Sequence, residues 1–180
     1  WKMHIQVLLA DDHQMCRDGF AALIQQQADM SVVAEADNGV EALEKTGQFA
    51  PDVVVMDVAM PEMNGIEATE RIVQTYPDAR IIALSMHADR QYVARMLEAG
   101  ARGYLLKNCA SRELIEAIRS VHSGRTFITQ ALMKVVVDAC VQGRFEGRDS
   151  QGGNPLSDRE QQVLRLVTEG YSSRAIARKL

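Results

Sequence analysis

The chain alternates short, almost purely apolar runs with longer stretches whose apolar positions recur every three to four residues. IQVLLA at 5–10, SVVAEA at 31–36, DVVVM at 52–56, RIIAL at 80–84 and GYLL at 103–106 are runs of the first kind. Runs this short and apolar predict strands of a parallel sheet, which is covered on both faces. We place strands near 4–10, 31–36, 52–57, 80–85 and 102–106, and helices near 14–27, 39–48, 65–75, 89–99 and 111–122. Punctuation agrees: Pro51 precedes a strand, Pro61 and Gly65 bracket a loop, Pro77 and Asp78 stop a helix, and Gly100 stands where a helix C-cap belongs. Strand-helix repetition predicts right-handed crossovers and an α/β, doubly wound parallel sheet. A flavodoxin-like (βα)5 order, 2-1-3-4-5, suits the size.

After residue 123 the pattern changes. QALMKVVVDACVQ at 130–142 predicts a linker helix, and GRFEGRDSQGGN after it reads as a flexible segment. Ser157-Asp158-Arg159-Glu160 is a capping box, in which the serine oxygen accepts from the third helical amide while the glutamate reaches back. Val163, Leu164 and Val167 follow at helical spacing, Gly170 ends that helix, and Ser172 or Ser173 can cap another that runs to Leu180. The expected domains are 3–123, a linker over 124–154, and an all-α segment over 155–180.

Composition narrows the class. The 180 residues allow one good core plus an appendage, and 47% apolar with 24% charged residues is an ordinary globular mixture. Three cysteines at irregular spacing form neither a disulfide framework nor a metal knuckle, so a reducing, cytoplasmic setting fits best. No apolar stretch approaches a membrane span, and the N-terminus lacks the order of a signal peptide. Met3 is the expected native start. Net charge is −4 but uneven: residues 1–130 hold 12 Lys/Arg against 18 Asp/Glu, whereas 155–180 hold 5 against 3. Any nucleic-acid contact is therefore expected at the C-terminal end.

Chemistry gathers at the carboxyl ends of strands in open α/β sheets. Asp11-Asp12, Asp57, Ser85 and Lys107 each follow one of the apolar runs. A lone acid after such a run is usually a strand-ending turn residue, and a strand-ending lysine is usually solvated. The ordered set, one after each of strands 1, 3, 4 and 5, is much harder to obtain by chance. Magnesium prefers hard oxygen ligands, which Asp11, Asp12 and Asp57 supply. Asp57 can then act as a nucleophile toward phosphorus, Lys107 offers a point charge to the phosphoryl group, and Ser85 can donate a hydrogen bond to it.

The motifs LLADDH at 8–13, VVMDVAMPEMNG at 54–65, ALSMH at 83–87 and EAGARGYLLKN at 98–108 resemble those of two-component response regulators of the NarL/FixJ type. Residues 3–122 resemble the receiver domain, and LSDREQQVLRLVTEGYSSRAIARKL the opening of a LuxR-type helix-turn-helix. The resemblance implies phosphorylation of Asp57 by a histidine kinase. Asp11 or Asp12, Asp57 and the carbonyl of Ala59 would hold magnesium. Ser85 would be the switch hydroxyl, Lys107 the phosphoryl partner, and Tyr104 an aromatic that rotates inward on phosphorylation. Pro61 and Gly65 would shape the loop after the phosphorylated strand. The surface carrying Arg90, Arg95 and Arg102 would change shape, altering a homodimer contact or releasing the C-terminal module. The only reaction catalysed would be the chain's own phosphorylation and dephosphorylation.

In that family the recognition helix, which reads the major groove, follows the two helices seen here. The chain stops at Leu180, so DNA-contacting residues cannot be named, and a fragment of a full-length transcription regulator is the favoured reading over a natural truncation or a partial chain. Ala175 stands where the family usually has an acid, which removes a second capping box at a cost of about 1 kcal/mol or less. His13 reads as a local loop contact, Cys16 as a packed helix residue, and Cys109 as a remote redox candidate. Ala59 leaves room for water beside Asp57, whereas Met86 could narrow access. Two alternatives compete: a stand-alone module that signals by protein contact, and a phosphohydrolase of the haloacid dehalogenase kind. The latter places its nucleophile after the first strand.

Overall fold

A strand that alternates its side chains can feed two cores only if both of its faces are covered, and these strands do so. The computed structural model describes residues 4–86, 89–108, 111–129 and 132, with backbone alone for Arg90, Ser111 and Arg112. The elements run β1 (Ile5–Ala10), α1 (Gln14–Gln25), β2 (Met30–Ala36), α2 (Gly39–Phe49), β3 (Val53–Asp57), α3 (Gly65–Thr75), β4 (Arg80–Ser85), α4 (Arg90–Glu98), β5 (Gly103–Leu106), α5 (Ser111–His122) and β6 (Phe127–Ile128). The strands form one parallel sheet in the order β2-β1-β3-β4-β5-β6. Leu8, Val54, Met56, Ile81, Ala83 and Tyr104 face a core with Ala42, Ala68, Ile72, Val93 and Met96 of α2, α3 and α4. Val7, Leu9, Val53, Val55, Ile82 and Leu105 face the other, with Ile24 of α1 and Leu114, Ile118 and Val121 of α5.

The five expected strands and their order are present. A sixth strand, only two residues long, extends the sheet beyond β5: the amides of Phe127 and Thr129 donate to the carbonyls of Arg102 and Tyr104 at 3.0 and 3.2 Å. Two residues carry no readable alternation, which is why the sequence pattern stops at five. Leu132, fully buried, joins the core that contains Tyr104 and Met96. The other readings beyond residue 129, and that for Cys109, lie outside the described residues, as does Met3.

Helix ends follow local chemistry. Asn38, Asn64 and Asp89 accept from the amides of Glu41, Glu67 and Gln91 at 2.9, 3.0 and 2.8 Å, each cap contributing about 1 kcal/mol. Gly100 has φ +105, and the amides of Gly100 and Ala101 return to the carbonyls of Leu97 and Met96, the Schellman closure of α4. Among the described residues no helix is long and apolar enough to cross a membrane.

Candidate functional site

Register brings the site together. Ala10 pairs with Met56, Asp57 with Leu84, and Ser85 with Leu106. The strands therefore end nearly level, and Asp11, Asp57, Ser85 and Lys107 emerge at one edge. Asp57 closes the third strand, which disfavours the dehalogenase-like arrangement.

The Lys107 ammonium lies 2.6 Å from Asp57 Oδ2 and 2.8 Å from Asp11 Oδ2. Its amide donates to the Ser85 carbonyl at 2.7 Å, which ties β5 to the end of β4. The side chains of Lys107, Asp11 and Asp57 are only 6, 3 and 4% exposed, so these charges must compensate one another, while Asp12 is 31% exposed. One cation serves two buried carboxylates. Burial first, and then the charge of Asp11, push the Asp57 carboxyl above its usual range, against the Lys107 ammonium and the Ala59 amide. Burial works to lower the Lys107 ammonium, but its close contacts with the Asp11 and Asp57 carboxylates prevail and raise it.

The pocket thus carries an excess of negative charge. Asp11 Oδ2, although in ionic contact with Lys107, has no partner in hydrogen-bond geometry. Hard carboxylate oxygens, an under-satisfied buried one among them, and uncompensated negative charge fit a divalent cation. Ligand-capable atoms of Asp11, Asp12, His13 and Asp57 all lie within 4.8 Å of one another.

The loop after Asp57 is shaped from both ends. Ala59 donates its amide to Asp57 Oδ1 at 3.3 Å. The Met63 amide reaches the Pro61 carbonyl at 2.7 Å around Glu62, which sits at φ +62. The Gly65 amide bonds the Val58 carbonyl at 3.0 Å. A Cβ at Gly65 would fall 1.9 Å from the Asp57 carbonyl oxygen, so only glycine fits there. Gly39, which the sequence reading passed over, donates to the Met63 carbonyl at 3.1 Å and is similarly pinned.

Ser85 is 5% exposed and Tyr104 fully buried. The phenol faces Ser85 closely enough to feel its hydroxyl, yet makes no hydrogen bond of regular geometry. Burial raises the phenol above its ordinary value; Ser85 opposes this, while Asp89, Asp57 and Tyr92 add to it. Tyr104 points inward here, fully buried. Arg95 and Arg102 are exposed; the side chain of Arg90 is outside the described residues. Met86 is 67% exposed, and Cys16 is half-buried in α1.

Arg17 was missed. It lies on the buried stripe of α1 with Ala21 and Ile24. Its guanidinium donates to the Asp11 carbonyl and to Gln14 Oε1, and Nε stands 3.4 Å from Glu35 Oε2. A charged residue in register with an apolar stripe is a signal that sequence alone offers. His13, read as a loop contact, reaches the acid pair directly: Nδ1 is 2.6 Å from Asp12 Oδ1 and 3.4 Å from Asp11 Oδ1.

Comparison with known proteins matches residues 7–119 to the response regulator receiver domain and residues 154–180 to the luxR family of bacterial regulatory proteins. The oxygen regulatory protein NreC of Staphylococcus epidermidis is 38% identical over 98% of this chain and 83% of its own length. A LuxR-family two-component response regulator from Aurantimonas sp. SI85-9A1 shares 35% identity with a TM-score of 0.73, covering 77% of this chain and 99% of that one. The signal receiver domain of NarL from Mycobacterium tuberculosis shares 32% identity with a TM-score of 0.66, covering 68% of this chain and 99% of that one.

Proposed function

The chain belongs to the response regulators of two-component signalling, with a receiver domain and a LuxR-type DNA-binding segment, and on that premise we propose which atoms carry its signal. Asp57 is the phosphoacceptor. One of its carboxylate oxygens attacks the phosphorus of a phosphohistidine on the cognate kinase. An O–P bond forms, the N–P bond breaks with its electron pair on the imidazole, and that ring takes up a proton. Asp11, Asp12, Asp57 and the main-chain carbonyl of Ala59 would hold Mg2+, which when bound offsets repulsion between the phosphoryl group and the acids. Lys107 stabilises charge on the phosphoryl oxygens, and Ser85 donates a hydrogen bond to one of them. This self-modification is the only reaction the chain catalyses.

The observation that carries the reading is one ammonium shared between Asp57 and Asp11 at the level edge of the sheet. The phosphoryl group adds charge and acceptor oxygens at that point and shifts the population of a two-state element. We assign the response to the cytoplasm, through a homodimer and the LuxR-type segment, to transcription. The match over 154–180 favours this over a stand-alone module.

Incubation with acetyl phosphate and Mg2+ should add one phosphoryl group to the intact mass of the wild type and none to Asp57→Ala. Labelling of the variant would remove Asp57 from its role. Sizing with and without beryllofluoride and Mg2+ tests the dimer.

A further inference from the structure

We propose that His13 is a ligand of the cation pocket, so that the pocket takes borderline divalent cations such as Co2+ through a nitrogen that Mg2+ uses poorly. This deepens the proposed cation site and rests on it. His13 is the N-cap residue of α1, at φ −93 and ψ 105, yet its side chain makes no capping bond. Its backbone is instead fastened to the acid pair, the amide donating to Asp11 Oδ1 at 2.9 Å. That bond holds the imidazole over the carboxylates, 2.6 Å from Asp12 Oδ1 and 3.4 Å from Asp11 Oδ1.

Two donors at right angles on metal bonds of about 2.1 Å lie about 3 Å apart. The two separations bracket that spacing. The 2.6 Å approach of His13 Nδ1 to Asp12 Oδ1 puts both atoms where one metal ion can take the two as ligands. The ring is 67% exposed on its side chain, which leaves it free to adjust while its backbone stays fastened. A set of three carboxylates is hard and suits Mg2+. Adding one imidazole moves the preference up the order in which nitrogen ligands discriminate, toward Co2+ and its later neighbours.

The test uses the full chain, with Mn2+, Co2+ and Mg2+ as probes. Electron spin echo measurements on the Mn2+-loaded protein should detect a directly coordinated nitrogen, and His13→Gln should abolish it. Calorimetric titration should show Co2+ affinity falling about tenfold or more in the variant, with Mg2+ affinity changing less than twofold. His13→Asn, which restores a good cap, guards against a folding defect and should behave like the glutamine variant. Strong binding with no coupled nitrogen, or equal losses for all three cations, overturns the role of His13 and leaves the carboxylate site standing. No binding of any of the three cations by the wild type overturns the cation site itself.

Discussion

Replacing Gly65 by alanine puts one methyl group against the backbone of Asp57, the proposed phosphoacceptor. The new Cβ would lie 1.9 Å from the Asp57 carbonyl oxygen, where ordinary contact begins at 3.4 Å, and also 2.9 Å from the Asp57 carbonyl carbon and 3.0 Å from Val58 Cα. All three atoms belong to the main chain of β3 and its exit, so no rotamer can give way. About 1.5 Å of backbone displacement must be absorbed, and the loop hydrogen bond from Gly65 to Val58 opposes it. Overpacking of this kind destabilises by about 1–3 kcal/mol. A shift near 1 Å in a reacting group lowers rates on the order of 100-fold. Gly19 is the matched control: it is exposed in the middle of α1 with nothing within 4 Å of an added Cβ, and alanine there should stabilise by about 0.4–1 kcal/mol. Urea denaturation gives the stabilities, and intact-mass time courses with acetyl phosphate give the phosphorylation rate. A Gly65→Ala protein within about 0.5 kcal/mol and twofold in rate of the wild type would refute the steric reasoning.

Two further outcomes are expected. Because the folded Asp57 carboxyl is raised, the stability it contributes is full below the ordinary carboxylate pKa near ~4 and is lost as pH rises through the raised value. In EDTA, Asp57→Asn should therefore gain on the wild type in melting temperature as pH rises from about 4 toward neutrality, and Mg2+ at neutral pH should narrow the gap; a gap that moves the other way contradicts the assigned direction. Leu132→Ala removes a fully buried side chain and should cost about 2–5 kcal/mol in denaturant titration, a loss below about 1 kcal/mol showing that this position does not complete the core.

Much of this was legible in the chain because it is written in local signals. Apolar runs of four to six residues gave the strands, and the residue that ends each run gave the site, since a parallel sheet with level strand ends turns sequence order into spatial adjacency. α3, β4 and α5 fall on their expected bounds, α3 between the loop that Gly65 closes and the stop at Pro77. What escaped has a common physical origin: it depends on partners distant in sequence. β6 exists only because the open edge of β5 accepts two amides, and nothing in FI reveals that. Arg17 shows in the sequence only as a charge in register with the apolar stripe of α1; that Glu35, on β2, stands beside its guanidinium does not. The demand for glycine at 39 comes from the Met63 carbonyl, on another loop altogether.

Tyr104 lies beside Ser85, the proposed switch hydroxyl. Its hydroxyl is buried and makes no hydrogen bond of regular geometry among the described residues. The ring is held inward by its apolar surroundings, Val93 and Met96 among them. A modification at Asp57 that draws Ser85 toward it, as proposed, would alter the contact beside that hydroxyl. The main chain of Tyr104 in turn accepts the amide of Thr129, and Leu132 shares its core. Ser85, Tyr104, β6 and Leu132 therefore form a contiguous row of neighbours leading away from the acid pocket, and we propose that the signal follows it. Loosening its last link with Leu132→Ala leaves every pocket residue in place, which separates transmission from chemistry: phosphoryl uptake at Asp57 should persist while its effect beyond residue 132 weakens.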